Sequence, residues 1–126
     1  MDYSKLSDFE INGRVASLTQ SLGDHTQTSN ETFIHEYADI GEIKGLCIGW
    51  KKFDPCNNPA DAWPIIVGHA ISLRAPSYKE GWTADFTGGD EDVNDGFEID
   101  YFESLHQNPL RAAMIVFLMM QESQHA

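Results

Sequence analysis

Basic side chains are scarce: 8 Lys and Arg stand against 20 Asp and Glu in 126 residues, a formal net charge of −12. DNA, RNA and anionic lipid surfaces are held through Lys and Arg clusters that release counterions, so the deficit argues against direct nucleic-acid or membrane binding. Cysteine is equally sparse. Cys47 and Cys56 lie nine residues apart with no C-x-x-C spacing and no His pair beside them, which predicts two free thiols and no zinc site. No apolar run reaches the roughly 18 residues of a membrane span. Met1 to Lys5 is acidic and polar rather than basic then apolar, so no secretory signal is expected. The five histidines, His25, His35, His69, His106 and His125, are scattered singly. There is no G-x-S-x-G, no H-E-x-x-H, no Walker loop and no glycine fingerprint after a strand. These absences predict a soluble cytosolic protein with no cofactor, no metal and no catalytic residue.

What is present suffices for a core. Hydrophobic residues make up 41% of the chain, including 3 Trp, 4 Tyr and 7 Phe. A domain of this length buries roughly two-thirds of the surface its unfolded chain exposes, so residues 1–126 are expected to form a single domain without staples. The acidic excess is local. Residues 1–79 carry ten acids and seven bases, whereas residues 80–110 carry nine acids (Glu80, Asp85, Asp90, Glu91, Asp92, Asp95, Glu98, Asp100 and Glu103) and no base. Asp90-x-Asp92-x-Asn94 has the alternating oxygens of an EF-hand loop. Asp95 stands where that loop needs glycine, and Tyr101 where it needs a bidentate glutamate, so no calcium site is expected.

Periodicity and punctuation give the elements. Ser7-Asp8-Phe9-Glu10 fits a capping box, and Phe9, Ile11, Val15, Leu18 and Leu22 recur at helical spacing, predicting a helix to about Ser21 with Gly23 as its stop. Residues 23–31 read as a mobile loop. Thr32 to Tyr37 and Gly45 to Phe53 read as a hairpin or neighbouring strands, with Cys47 to Trp50 expected to be the more buried part. Asn58 and Pro59 open a short second helix, kinked at Pro64 and closed by Gly68. Ile71 to Ala75, Gly81 to Thr87 and Phe97 to Tyr101 read as three further strands. Asn108-Pro109 then starts a helix over Leu110 to Met120 that is apolar nearly all round and must be covered by a sheet or a partner. The expected fold is α+β, a mainly antiparallel sheet of about four to five strands with about three helices packed on it.

One constellation points to ligand chemistry. Trp50, Lys51, Trp63, Arg74, Tyr78, Lys79 and Trp82 combine planar rings that can stack on a base with cations that can answer a phosphate. Few cations in an otherwise acidic chain would make such a pocket selective for small anions over polyanions.

Three segments carry a resemblance: Met1 to Asn12 (MDYSKLSDFEIN), Asp54 to Ile66 (DPCNNPADAWPII) and His106 to Met120 (HQNPLRAAMIVFLMM). In these the chain resembles the NinX-type family of small tailed-phage proteins, a phage domain of unknown function. The resemblance covers about a third of the chain. It implies a phage protein in the host cytoplasm and supplies no catalytic residue.

The leading expectation is a non-enzymatic phage accessory protein that sequesters a nucleotide-derived host immune signal, as a homo-oligomer whose interface is covered by the apolar C-terminal helix. Trp50, Trp63 and Trp82 are the candidates for stacking, and Lys51, Arg74 and Lys79 for phosphate. The first alternative is an acidic DNA mimic or protein-binding inhibitor of a host defence protein, acting through Glu80 to Glu103. The second is a metal-dependent nucleotide hydrolase.

Overall fold

The computed structural model describes residues 1–21, 23–76, 81–88 and 101–124. A short 3-10 turn, Tyr3–Lys5, precedes helix α1, Asp8–Thr19. The capping box is formed in full: the Glu10 amide donates to Ser7 Oγ at 3.1 Å, and the Ser7 amide donates to Glu10 Oε1 at 3.2 Å. The helix ends two residues before the expected last residue, Ser21, because Gln20 is already extended.

Strands β1 (His25–Gln27), β2 (Thr32–Ile40) and β3 (Ile43–Lys52) form an antiparallel sheet in that order. The segment expected to be a mobile loop thus contains β1. Its three polar residues offer no apolar signal. They are held by tertiary bonds instead: Gln27 Nε2 donates to the Phe9 carbonyl and to Thr32 Oγ1. Gly13 of α1 makes room for that side chain, since a Cβ there would meet Gln27. The β2–β3 hairpin forms as expected, but the expectation that Cys47 to Trp50 is buried is overturned. All ten residues of β3 are exposed, because β3 has only β2 beside it among the described residues.

Helix α2, Pro59–Gly68, starts as its sequence dictates, with Asn58 Oδ1 accepting from the Ala60 amide and Pro59 in the first turn. Strands β4 (Ser72–Arg74), β5 (Trp82–Thr87) and β6 (Tyr101–His106) make a second antiparallel sheet in that order. Most of the strand expected over Phe97 to Tyr101 lies outside the described residues; the described strand β6 runs from Tyr101 to His106, past the expected end. The fold is α+β, with six described strands divided between two sheets rather than joined in one.

Helix α3, Pro109–Gln124, lies against the second sheet and is buried from Arg111 through Leu118. It also packs on α1 and α2. The cover an all-round apolar helix demands is therefore supplied within the chain, by Leu73, Ala84, Phe86 and Phe102 of the second sheet and by Ile11, Val15, Ile65 and Ile66 of the two helices. This removes the reason for placing an oligomer interface on the C-terminal helix.

Polar groups tie the same body together. Asn12, buried in α1, donates to Asp54 Oδ1 at 2.8 Å and accepts from the Cys56 amide at 3.2 Å. Asn108 donates to the Cys56 carbonyl, and Asn57 donates to Asp8. The buried Arg111 donates to Asp8 Oδ1 at 2.7 Å and to the carbonyls of Ser4 and Leu6. The Asp8 carboxyl lies below its ordinary value: burial opposes ionisation, and the bonds from Asn57 and Arg111 outweigh it. Both cysteines are free thiols, Cys47 exposed and Cys56 buried, and burial pushes the Cys56 thiol far up.

Candidate ligand-binding site

The base of the long hairpin has two faces of different chemistry. Side chains alternate across a strand, and residues directly opposite on paired strands share a face. Ile34 faces Lys51, and Phe33 and His35 face Lys52 and Trp50. Trp50 and Lys51, neighbours in sequence, are thereby sent to opposite sides.

On the Lys51 side lies a cavity of about 380 Å³, within the range of roughly 300–1,000 Å³ that small-molecule sites occupy. Thr19 and Gln20 at the end of α1 close one side, and Ile34, Glu36, Lys51, Lys52 and Phe53 form the sheet wall. Ala60, Asp61, Pro64 and Ile65 of α2, with His69 just after it, form the helix wall. The charges differ in availability. Asp61 accepts from the Asp54 amide at 2.9 Å, and Lys52 pairs with Glu31 at 3.4 Å. Lys51 has no carboxylate within ion-pair distance among the described residues. His69 Nδ1 sits 3.0 Å from the Ile65 carbonyl, which can only accept, so Nδ1 carries the hydrogen of that bond and Nε2 is turned away from it. The His69 ring also meets Phe117 edge-on at 4.8 Å. An apolar wall with one uncommitted ammonium and one oriented imidazole can hold a planar, anionic molecule of modest size.

On the other side is an aromatic row. His35 and Trp50 stack at 5.1 Å with 14° between their planes, Phe33 lies 6.1 Å from Trp50, and Tyr37 lies 6.4 Å from His35. Thr26 Oγ1 anchors His35 Nε2 at 2.6 Å. The Tyr37 phenol is raised above its ordinary value, chiefly by a hydrogen bond to Asp24.

The other expected site residues are dispersed. Trp63 stands on the solvent side of α2, 60% exposed. Arg74 is on the outer face of the second sheet and is engaged by Asp85 at 3.0 Å and Glu103 at 3.6 Å. Trp82 is half-buried in β5 opposite His106. Tyr78 and Lys79 lie outside the described residues, as does the whole Asp90 to Asp100 stretch. Lys51 is thus the expected cation that the structure sets in a cavity wall, beside His69, Ile34 and Phe53, which composition alone did not single out. The aromatic row was legible: Phe33-x-His35-x-Tyr37 places three rings at the two-residue period of a strand face.

Among the described residues no group of three His, Cys, Asp or Glu side chains could hold a metal ion, and no helix is long and apolar enough to cross a membrane. Comparison with curated proteins and with solved structures returns no match. The family described as Bacteriophage P22, NinX matches residues 2–121. That span takes in nearly the whole chain, including the three segments joined by the Asn12, Asn108 and Arg111 bonds, and the protein belongs to this phage family.

Proposed function

We propose that this phage protein is a non-enzymatic binding module that takes a small nucleotide-type ligand in the cavity behind the hairpin and sequesters it in the host cytoplasm. The observation that carries the reading is Lys51: an ammonium without a carboxylate in ion-pair distance among the described residues, set in the wall of a cavity whose lining includes the apolar Ile34, Phe53, Pro64 and Ile65 together with the carboxylates of Glu36 and Asp61. Apolar walls accept the face of a base, and Lys51 answers its phosphate. In the neutral ring, His69 Nε2 supplies an acceptor for an exocyclic amine or hydroxyl. A nucleotide-derived host immune signal has this chemistry, and a ligand held without chemistry is withdrawn from its receptor by mass action.

Isothermal titration with cyclic dinucleotides and cyclic ADP-ribose isomers tests the reading. The expected result is saturable binding to one member of the series, at least tenfold weaker in Lys51→Glu, with the ligand recovered intact after heat release. No heat from any member overturns the proposal, and breakdown of the ligand in the presence of magnesium or manganese replaces it with a hydrolase.

A further inference from the structure

Strand β3 is ten residues long, exposed at every position, and carries Ile43, Leu46, Ile48 and Trp50 with at least 42% of each in solvent. Among the described residues β2 pairs with one of its edges and nothing pairs with the other. An apolar open edge of this length is a template for another strand. Proteins ordinarily protect such an edge with lysines and bulges. Here Lys44, Lys51 and Lys52 are present, and the ladder to β2 shifts register at two places, so an incoming strand must match a particular pattern. We propose that the matching strand is β3 of a second copy, paired antiparallel and centred on Cys47.

Symmetry and charge select that register. The twofold axis of a symmetric antiparallel pair stands perpendicular to the sheet and keeps every side chain on its own face. The ladder to β2 puts Ile43, Leu46, Gly49 and Lys51 on one face and Cys47, Trp50 and Lys52 on the other, with Ile48 skipped at a bulge, so Leu46 and Cys47 cannot oppose each other. A residue at the centre must therefore oppose its own copy. The centre of β3 offers Leu46, Cys47, Ile48 and Gly49. Centring on Gly49 sets Lys52 against Leu46 and Lys51 against Cys47, so neither cation is answered. Centring on Ile48 sets Lys44 against Lys52 of the second copy, a like-charge pair. Centring on Leu46 sets Glu42 against Trp50 and Lys44 against Ile48, so neither charge is answered. Centring on Cys47 sets Lys44 against the ring of Trp50, Lys51 against Ile43, and Ile48 against Leu46, and brings Lys52 at the end of the strand beside Glu42 in the turn that precedes it, each twice by symmetry. Opposite charges close both ends, a cation meets an exposed indole, and the apolar pairs occupy the middle. The existing partners of these lysines are exposed and release them readily: Lys44 stands 3.9 Å from Asp39, and Lys52 stands 3.4 Å from Glu31. The two sheets then join into one of six strands across the dimer.

Light scattering over a concentration series, on the full-length protein, is the first measurement, with a mass twice that of the chain expected. Lys52→Glu, checked for folding by circular dichroism, weakens association at least tenfold by facing Glu42, and Glu42→Lys combined with Lys52→Glu restores it. Mild oxidation gives a second readout on the unaltered chain. In this register the two Cys47 Cα atoms lie about 4.5–5.5 Å apart, within disulfide reach. A shift of the centre by one residue moves the two cysteines apart by two residues, roughly 7 Å along the strand, which is beyond reach. A covalent dimer absent in Cys47→Ser is therefore expected. A monomer at all concentrations, an association indifferent to Lys52→Glu, or a dimer that does not cross-link through Cys47 overturns the proposal. Ligand titration reports on the cavity and mass on the edge, so either proposal can fail alone.

Discussion

The sheet of β4, β5 and β6 lays Leu73, Ala84, Phe86 and Phe102 on α3 and turns Arg74, Asp85 and Glu103 outward as an ion-paired surface. The sheet of β1, β2 and β3 is also antiparallel and three-stranded, yet only its base meets α1, and β3 contributes nothing to the core before Phe53. One sheet spends its apolar side chains on folding. The other displays Ile43, Leu46, Ile48 and Trp50 in water, the exposure on which the proposed strand pairing rests. The difference separates the residues that hold this protein together from those free to recognise something, and mutation can test the separation.

The largest effect is expected in the body. Phe117 of α3 is 1% exposed and meets the His69 ring edge-on, so Phe117→Ala is expected to cost about 3–5 kcal/mol through lost burial and the cavity left behind, read as a lowered denaturant midpoint. Asn12→Ala comes next. It leaves the Cys56 amide without its acceptor in a buried site and removes a bond to Asp54, a loss of about 1–3 kcal/mol. Urea titration of both variants checks the order. If Asn12→Ala proves neutral, the polar network is not what joins α1 to the 54–58 loop.

How much of this was legible in the sequence follows the same division. The capping box at Ser7, the Asn58-Pro59 and Asn108-Pro109 helix starts and the alternation of Trp82, Ala84 and Phe86 are local signals, and each is realised in the structure. β1 was not legible because His25-Thr26-Gln27 has no hydrophobic period and is fixed by Phe9, Thr32 and His35 from elsewhere in the chain. The exposure of β3 was hidden for the opposite reason: Cys47, Ile48 and Trp50 have the composition of a buried strand, and composition does not say whether anything lies above them. Site residues suffered from the two-residue strand period. Trp50 and Lys51 adjoin in sequence, and that adjacency is what places them on opposite faces.

A smaller effect is expected from pH. The Asp8 carboxyl is held below its ordinary value by Asn57 and Arg111, against the opposing effect of burial. A depressed carboxylate contributes its full stability above the unfolded-state value, about 3.9, and loses it as pH falls through the lower folded-state value. Thermal midpoints should therefore fall as pH drops below about 4, and Asp8→Asn should fall less than the parent over that window. Equal slopes would mean that Arg111 is held mainly by the Ser4 and Leu6 carbonyls.

The smallest effect belongs to the hairpin. Ile48 is 57% exposed and is the β3 residue skipped where the ladder to β2 shifts between Glu36 and Tyr37, so it buries little area in the single chain and is committed to no cross-strand pair. Ile48→Ser is expected to change the denaturant midpoint of dilute protein by less than about 0.5 kcal/mol, as for an ordinary surface substitution. Such indifference is informative because isoleucine is otherwise a costly choice for a surface. A side chain that does nothing for the fold, on an edge where its removal weakens self-association, has its role in the contact and not in the chain. Should Ile48→Ser instead destabilise the dilute protein as strongly as Asn12→Ala, the hairpin is part of the structural body and the contrast between the two sheets is lost.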